Sequence, residues 1–528
     1  LDRAEGGVVS SAGKCIEIGS LITVPTPGSS VVGIVSGMTT PMPGHQDENM
    51  DEVLLIEISL AGEIYQDKKA NTLRFTRGVA HFPIIGDLIM RAGRDELACV
   101  YYQPDASMID VGTLHQDKSV PAHFLVDELF GKHFIVVGTT GSGKSSAITC
   151  ILRRLLAEHT HAHIVMLDVH DEYRSAFGDQ AESVHPSNLR LPFWLLNFQE
   201  LCAAFAGVDG HRDAEVEILA DAVLAARRRF FESQLGRIKR SGEGAGLTVD
   251  APSPFRLADV VSYLEEQLGK LERAHAALSY RRLKGRIEAM VADPRFSFMF
   301  GSYTVEDTMA DVLGRLFRVP SNGKPITVMD LASVPPEILD ILVSLIARLA
   351  FDFSVWSEGA VPMLIVCEEA HRYAPASSRE KFLPTRYALS QIAKEGRKYR
   401  VSLALVTQRP SELDPTIISQ CSTAIALRLS TERDQDVMRA TTHDGAFDLL
   451  DYLPLLGDRE AIVLGQGVPM PMRILFHNID SLGVPQERTA GFSESWRKPN
   501  MDRKGLERVV SRWRSVGRQH YEGSSDIE

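Results

Sequence analysis

The apolar positions of this chain change period along its length. Up to about residue 120 they come in short runs, "LLIEISL" (54–60), "LRFTRGV" (73–79), "DLIMRAG" (87–93) and "LACVYY" (97–102), broken by "PTPGSS" and "PMPGHQDE". Short β-rich runs punctuated by proline and glycine predict strands and turns. Their extent fits a small β-barrel, with a sandwich as the rival arrangement. From about residue 124, apolar runs of strand length alternate with helical stretches. The strands are "HFIVV" (133–137), "HIVMLDV" (163–169), "PITVMDL" (325–331), "MLIVCEE" (363–369), "VSLALVTQ" (401–408) and "TAIALRL" (423–429). "SSAITCILRRLLAE" (145–158) is the first helix. That alternation predicts a parallel sheet with crossover helices.

Between roughly 198 and 300 the period is helical, in "AEVEILADAVLAARRRFFESQL" and "LADVVSYLEEQLGKLERA", with "SGEGAGL" (241–247) between them. We therefore divide the chain into a β-rich unit (1–115), the first part of an α/β core (116–197), a helical insertion (198–300), the second part of the core (301–480) and a tail (481–528). In the tail Leu506, Val509, Val510 and Trp513 fall on one helical face, and the other face is basic.

The 528 residues exceed what one hydrophobic core accommodates. The most apolar helix, "EILDILVSLIARLAFDFSVW" (337–356), carries Glu337, Asp340, Arg348 and Asp352, which argues for a buried helix and against a membrane span. No secretory leader pattern opens at Leu1. Six scattered cysteines without CxxC spacing suit a reducing, cytoplasmic setting. A net charge of −12 does not point to nucleic acid, although a ring can confine its basic groups to a channel.

The chemistry is concentrated at strand ends. Gly138-Thr139-Thr140-Gly141-Ser142-Gly143-Lys144-Ser145 matches GxxxxGK[ST] between a strand and a helix, with Ser146 following. Glycines let backbone N–H groups close on phosphates, Lys144 places a cation at the β/γ oxygens, and the Ser145 hydroxyl can ligate Mg²⁺. ATP and Mg²⁺ are the expected ligands. "MLIVCEEAHRYAP" then puts two carboxylates at a strand's carboxyl end, where such sheets bind ligands. Glu368 would hold Mg²⁺ and Glu369 would orient or deprotonate the attacking water. Asp168, His170 and Glu172 follow the second strand, and Gln408 ends "LALVTQ" as a candidate γ-phosphate sensor. His159, His161, His163 and His170 invite a metal reading, but alternating histidines point to both faces of a strand and no ligand set accompanies them.

Together "GTTGSGKSS", "LDVHDEY", "LPFWLLNFQEL", "DPRFSFMF", "CEEAHRYAP", "IAKEGRKYRVSLALVTQRPSELDPTIISQC" and "FSESW" resemble, in order, the HerA branch of the FtsK–HerA superfamily. The resemblance implies an α/β, RecA-like P-loop ATPase core with a helical insertion, preceded by a small N-terminal β-barrel. It also implies a homohexamer around double-stranded DNA, with ATP between neighbouring subunits. Arg397 in "AKEGRKYR" fits the family's arginine finger, Arg409 being a second candidate. A pore loop fits "APASSREKFLPTR", with Arg379, Lys381 and Arg386 as DNA contacts. Two positions depart from family usage: Asp171 stands where glycine is usual, and Glu368 where Asp is frequent.

The implied function is an ATP-driven DNA translocase or helicase working with a separate nuclease or effector docked on the barrel, in DNA end processing or anti-phage defence. The competing reading is a ring scaffold that uses ATP to switch a bound effector without moving DNA. A guanine-reading Asn-Lys-x-Asp motif is absent from the sequence, which leaves a GTPase without support.

Overall fold

Strand His133–Val137 is buried at every position, as a strand covered on both faces must be. Even His133 is absorbed: its Nδ1 accepts from Leu403 N–H at 3.0 Å, and burial pushes its pKa down to about 4, so the ring stays neutral. This strand lies at the centre of the sheet that organises the molecule. The computed structural model describes residues 2–4, 7–9, 16–39, 55–67, 72–84, 86–207, 211–235, 248–270, 274–301, 305–376, 383–441, 447–478 and 503–515.

The sheet has eleven strands. Its order begins Ala181–Val184, Ile326–Asp330, His163–Asp168, Met363–Cys367, Val401–Thr407, His133–Val137 and Cys421–Ala426, and all these pairings are parallel. It continues antiparallel through Glu460–Gly465, Met472–Phe476, Met108–Leu114 and Pro121–Leu125. The sheet thus takes in residues 108–114, ahead of position 116 where the sequence places its start. The α/β class with a large parallel sheet is as expected. Every strand named there contributes.

The helices of 198–300 lie between two neighbouring strands of the sheet, Ala181–Val184 and Ile326–Asp330. The first, Phe198–Phe205, starts in a capping box. Asn197 accepts from Glu200 N–H at 2.8 Å, and the Glu200 carboxylate accepts from Asn197 N–H at 2.9 Å. Glu200 is fully buried and also accepts from Ser344 Oγ (2.8 Å) and Arg348 Nη2 (2.9 Å) on helix Pro336–Trp356. The insertion is pinned to the core through one charge. Among the described residues no helix is long and apolar enough to cross a membrane.

The N-terminal strands form a separate five-stranded antiparallel sheet, ordered Thr72–Arg77, Leu55–Asp67, Ser29–Thr39, Leu21–Thr26, Met90–Arg91. No pairing among the described residues joins its two edges, so the barrel expected from the sequence is not seen to close among them. The sheet is apolar on both faces. Leu21, Val32 and Ile34 join the main core, whereas Ile22, Val24, Val31 and Val35 close over a cluster of their own. "LACVYY", expected as a strand, lies mostly in the helix Arg94–Tyr101. Its Leu97, Val100 and Tyr101 are buried at helical spacing, and the Glu96 carboxylate accepts from Gly93 N–H at 2.7 Å, fixing the helix start. The tail helix is present as Arg503–Ser515, with Leu506 and Val509 exposed; "FSESW" and "SGEGAGL" lie outside the described residues.

Removing Arg348 alone would leave Glu200 charged and buried. Arg348→Ala is expected to cost about 3 kcal/mol, measured by urea unfolding through tryptophan fluorescence. The pair Arg348→Met with Glu200→Gln should lose less than the single change.

Candidate active site at the P-loop

The loop after His133–Val137 takes its shape from two left-handed glycines, Gly141 (φ +78°) and Gly143 (φ +99°). A β-carbon on Gly143 would sit 3.3 Å from the Arg459 backbone nitrogen. Within the loop Ser142 Oγ donates to the Thr139 carbonyl at 2.7 Å, and Lys144 Nζ donates to the same carbonyl at 3.2 Å. Helix Lys144–Glu158 begins directly behind, so its first N–H groups and its dipole favour an anion at the loop. Ser145 and Ser146 lie half-buried on that first turn.

The parallel pairing brings the other strand ends to the same side. Thr140 Oγ1 donates to Gln408 Oε1 at 2.6 Å, joining the loop to the end of Val401–Thr407. Ser145 Oγ donates to Glu172 Oε2 at 2.6 Å. Asp168, fully buried, is occupied in shaping its own loop: it accepts from the N–H groups of His170 (3.2 Å), Glu172 (3.3 Å) and Tyr173 (3.0 Å). Asp171 in that loop has φ +56°, a left-handed conformation that glycine adopts without strain and aspartate tolerates.

Glu368 and Glu369 end strand Met363–Cys367, and both are buried. Glu369 sits at φ +46°, which turns the chain sharply out of the strand. The Oε2 atom of each is buried without a hydrogen-bond partner among the described residues. Burial, then the charges of Asp168 and Glu172, push the Glu368 pKa up to about 9. Burial also lowers the Lys144 pKa, against the opposing pull of Glu369, Glu368 and Glu172. A cation would relieve this concentration of carboxylates. Ser145 and Glu368 offer hard oxygen donors of the kind Mg²⁺ takes, and Mg²⁺ in such sites needs only one or two protein ligands beside phosphate and water. Among the described residues no cluster of three or more His, Cys, Asp or Glu is arranged for a metal, and His163 Nδ1 is instead 2.9 Å from the Phe317 carbonyl.

The remaining predicted residues divide. Arg397 is exposed on the turn Gly396–Tyr399, ahead of the strand whose far end carries Gln408. Seven strand residues place it about 20 Å from its own P-loop. Arg386 is ion-paired with the buried Asp414, and Arg409 with Glu412 at 2.9 Å. Arg379 and Lys381 lie outside the described residues.

The pattern that defines the central domain of helicase HerA matches residues 109–350, from the strand at 108–114 past the P-loop and the insertion. Over those residues the chain carries a HerA-type central domain. A DNA double-strand break repair helicase HerA of Pyrococcus furiosus is 24% identical over 444 residues, covering 75% of this chain and 74% of the relative. The protein of that name from Sulfurisphaera tokodaii is 24% identical over 501 residues, covering 92% and 93%. The solved structure of VirB4 from Thermoanaerobacter pseudethanolicus shares the fold at 14% identity, with a TM-score of 0.50 over 71% of this chain and 97% of that one.

Reading the sequence missed three residues of this site. Arg459 packs against Gly143 and donates its backbone N–H to the Ser142 carbonyl at 3.2 Å. The Arg428 carbonyl accepts from Thr139 N–H at 2.9 Å. His371 Nδ1 is 2.9 Å from Thr407 Oγ1 and 3.2 Å from Glu369 Oε2. Only His371 carried a signal, lying two positions after Glu369 in a quoted motif; the arginines come from segments distant in sequence, just outside the strands Cys421–Ala426 and Glu460–Gly465.

An acid whose pKa is raised by folding stabilises the fold relatively most below its unfolded value, near 4.5, and loses that contribution as pH rises toward 9. Chelator-treated, nucleotide-free Glu368→Gln protein should therefore melt about 2 °C or more above the parent at pH 8 and level with it near pH 4.5. Scanning calorimetry across that range checks the sign.

Proposed function

We propose that this HerA-type chain is an ATP hydrolase that couples turnover to movement on double-stranded DNA. The observation that carries the reading is the meeting of a complete phosphate loop with two buried carboxylates, each with its Oε2 atom lacking a hydrogen-bond partner among the described residues. In this reading the backbone of residues 138–146 holds the phosphates, and Lys144 moves from the Thr139 carbonyl to the β/γ oxygens. Ser145 and Glu368 would hold Mg²⁺, which when bound neutralises charge on those oxygens. Glu369 orients the attacking water and takes its proton, and Gln408 passes from Thr140 to the γ-phosphate. The relatives named as DNA double-strand break repair helicases support DNA as the substrate.

Arg397 lies too far from its own phosphate loop to act there. Its place supports a ring, a hexamer by family resemblance, in which it completes a neighbour's site. A partner nuclease or defence effector would dock on the N-terminal sheet, which we take to be a barrel in the full chain; exposed Phe82, Ile84 and Leu88 beside it support that face. The net charge of −12 favours a second reading, an ATP-switched scaffold that assembles an effector without moving along DNA.

Hydrolysis of ATP by the purified chain, with and without linear duplex DNA, separates the two. Strong stimulation by duplex, lost in Glu369→Gln, is the expected result; hydrolysis indifferent to duplex would favour the scaffold. Arg397→Ala should lower kcat by roughly a thousandfold with ATP binding intact. Mixing Arg397→Ala with Lys144→Ala chains should restore part of the activity, because mixed interfaces pair an intact loop with an intact arginine.

A further inference from the structure

His371 touches both halves of this site. It sits on the turn Ala370–Arg372, immediately after the left-handed Glu369. The turn is fixed from both ends: Arg372 N–H donates to the Glu369 carbonyl at 2.8 Å, and Asp414 N–H donates to the Ala374 carbonyl at 3.0 Å. The backbone that carries both Glu369 and His371 is thereby held in place.

Its Nδ1 faces two oxygens, Thr407 Oγ1 at 2.9 Å and Glu369 Oε2 at 3.2 Å. A ring nitrogen bearing a lone pair would repel the carboxylate, so the arrangement selects the tautomer with hydrogen on Nδ1. That one hydrogen serves two acceptors. The contact to Thr407 has hydrogen-bond geometry, whereas Glu369 Oε2 is left without a hydrogen-bond partner. Burial lowers the His371 pKa, with Glu369, Glu412, Arg409 and Arg372 as the charges around it.

Thr407 in turn belongs to the phosphate side. Its hydroxyl accepts from Arg409 N–H at 3.0 Å, and its carbonyl accepts from Gly138 N–H at 3.4 Å, where the phosphate loop begins. The next residue, Gln408, accepts from Thr140 in that loop. The strand end that contacts the phosphate loop therefore also holds the ring beside the candidate base.

We propose that His371 is a positioning residue that links the phosphate-sensing strand end, through Thr407, to the orientation of Glu369. The inference rests on the reading of Glu369 as the group that activates water. When Gln408 and Thr407 shift with the phosphate, the hydrogen stays on His371 Nδ1 but its bond switches from Thr407 Oγ1 to Glu369 Oε2, holding that carboxylate toward the water. Binding of ATP is left untouched, since His371 makes no contact with the loop itself.

The test measures steady-state ATP hydrolysis and, separately, binding of a fluorescent ATP analogue. His371→Ala should lower kcat by roughly 10–100-fold with KM and nucleotide affinity unchanged. His371→Asn, whose amide nitrogen replaces Nδ1, should recover most of the rate. Thr407→Val should show a similar loss, Thr407→Ser should be close to the parent, and the double variant His371→Ala with Thr407→Val should be no slower than the worse single one. Losses that multiply, or a normal kcat in His371→Ala while Glu369→Gln is inactive, would overturn the link and leave the hydrolase reading standing. Full activity in Glu369→Gln would instead remove the reading on which the link rests.

Discussion

The structure depends on how charge is held at one end of a dry sheet. The parallel strands are apolar along their lengths and covered on both faces, so polar chemistry is confined to their carboxyl ends. There Lys144, Glu368 and Glu369 are all buried, with Asp168 fully buried alongside. Burial, and then the neighbouring charges of Asp168 and Glu172, hold Glu368 toward its protonated form. Such a site gains from a cation and from a polyphosphate that draws Lys144 away from the Thr139 carbonyl.

The same economy explains why the rest of the fold is fastened as it is. Asp168 accepts three backbone N–H groups, which fixes the 168–173 loop and points Glu172 at Ser145. Glu200 fastens the helical insertion to the long core helix through Arg348. The N-terminal sheet is tied to the antiparallel end of the large sheet by Arg77 Nε on the Pro469 carbonyl (2.9 Å) and Tyr101 Oη on the Pro471 carbonyl (3.0 Å). Each attachment uses a polar group bonded to a specific partner, and a slip of register would leave that group buried and unpaired.

What could be seen in the sequence was what local pattern determines. Strands buried on both faces announce themselves as continuous apolar runs, and the loop at 138–145 follows from glycine, lysine and serine at fixed spacing. Glu368 and Glu369 were visible because two acids ending an apolar run are hard to explain otherwise. "LACVYY" was misread because its apolar residues form a run, while the helix is decided by the Gly93–Glu96 cap just upstream. In the N-terminal sheet a barrel could not be told from a sandwich, because alternating apolar residues on both faces suit either. Arg428 and Arg459 were invisible: they reach the phosphate loop through their backbones, where side-chain identity leaves no mark.

The position of Arg397 bears on assembly through distance alone. A strand crosses from the arginine-bearing turn at one end of the sheet to Thr407 and Gln408 at the other, so both ends move as one rigid element. The arginine is exposed, at the end of the strand opposite its own phosphate loop. If it enters a neighbour's site, one strand carries a finger for one nucleotide and a sensor for the next. A change at Gln408 in one subunit would then be felt as a displacement at the adjoining interface, with no separate relay between them. The parallel sheet, required first to bury apolar surface, would thereby supply the mechanical connection that a ring needs to fire its sites in order.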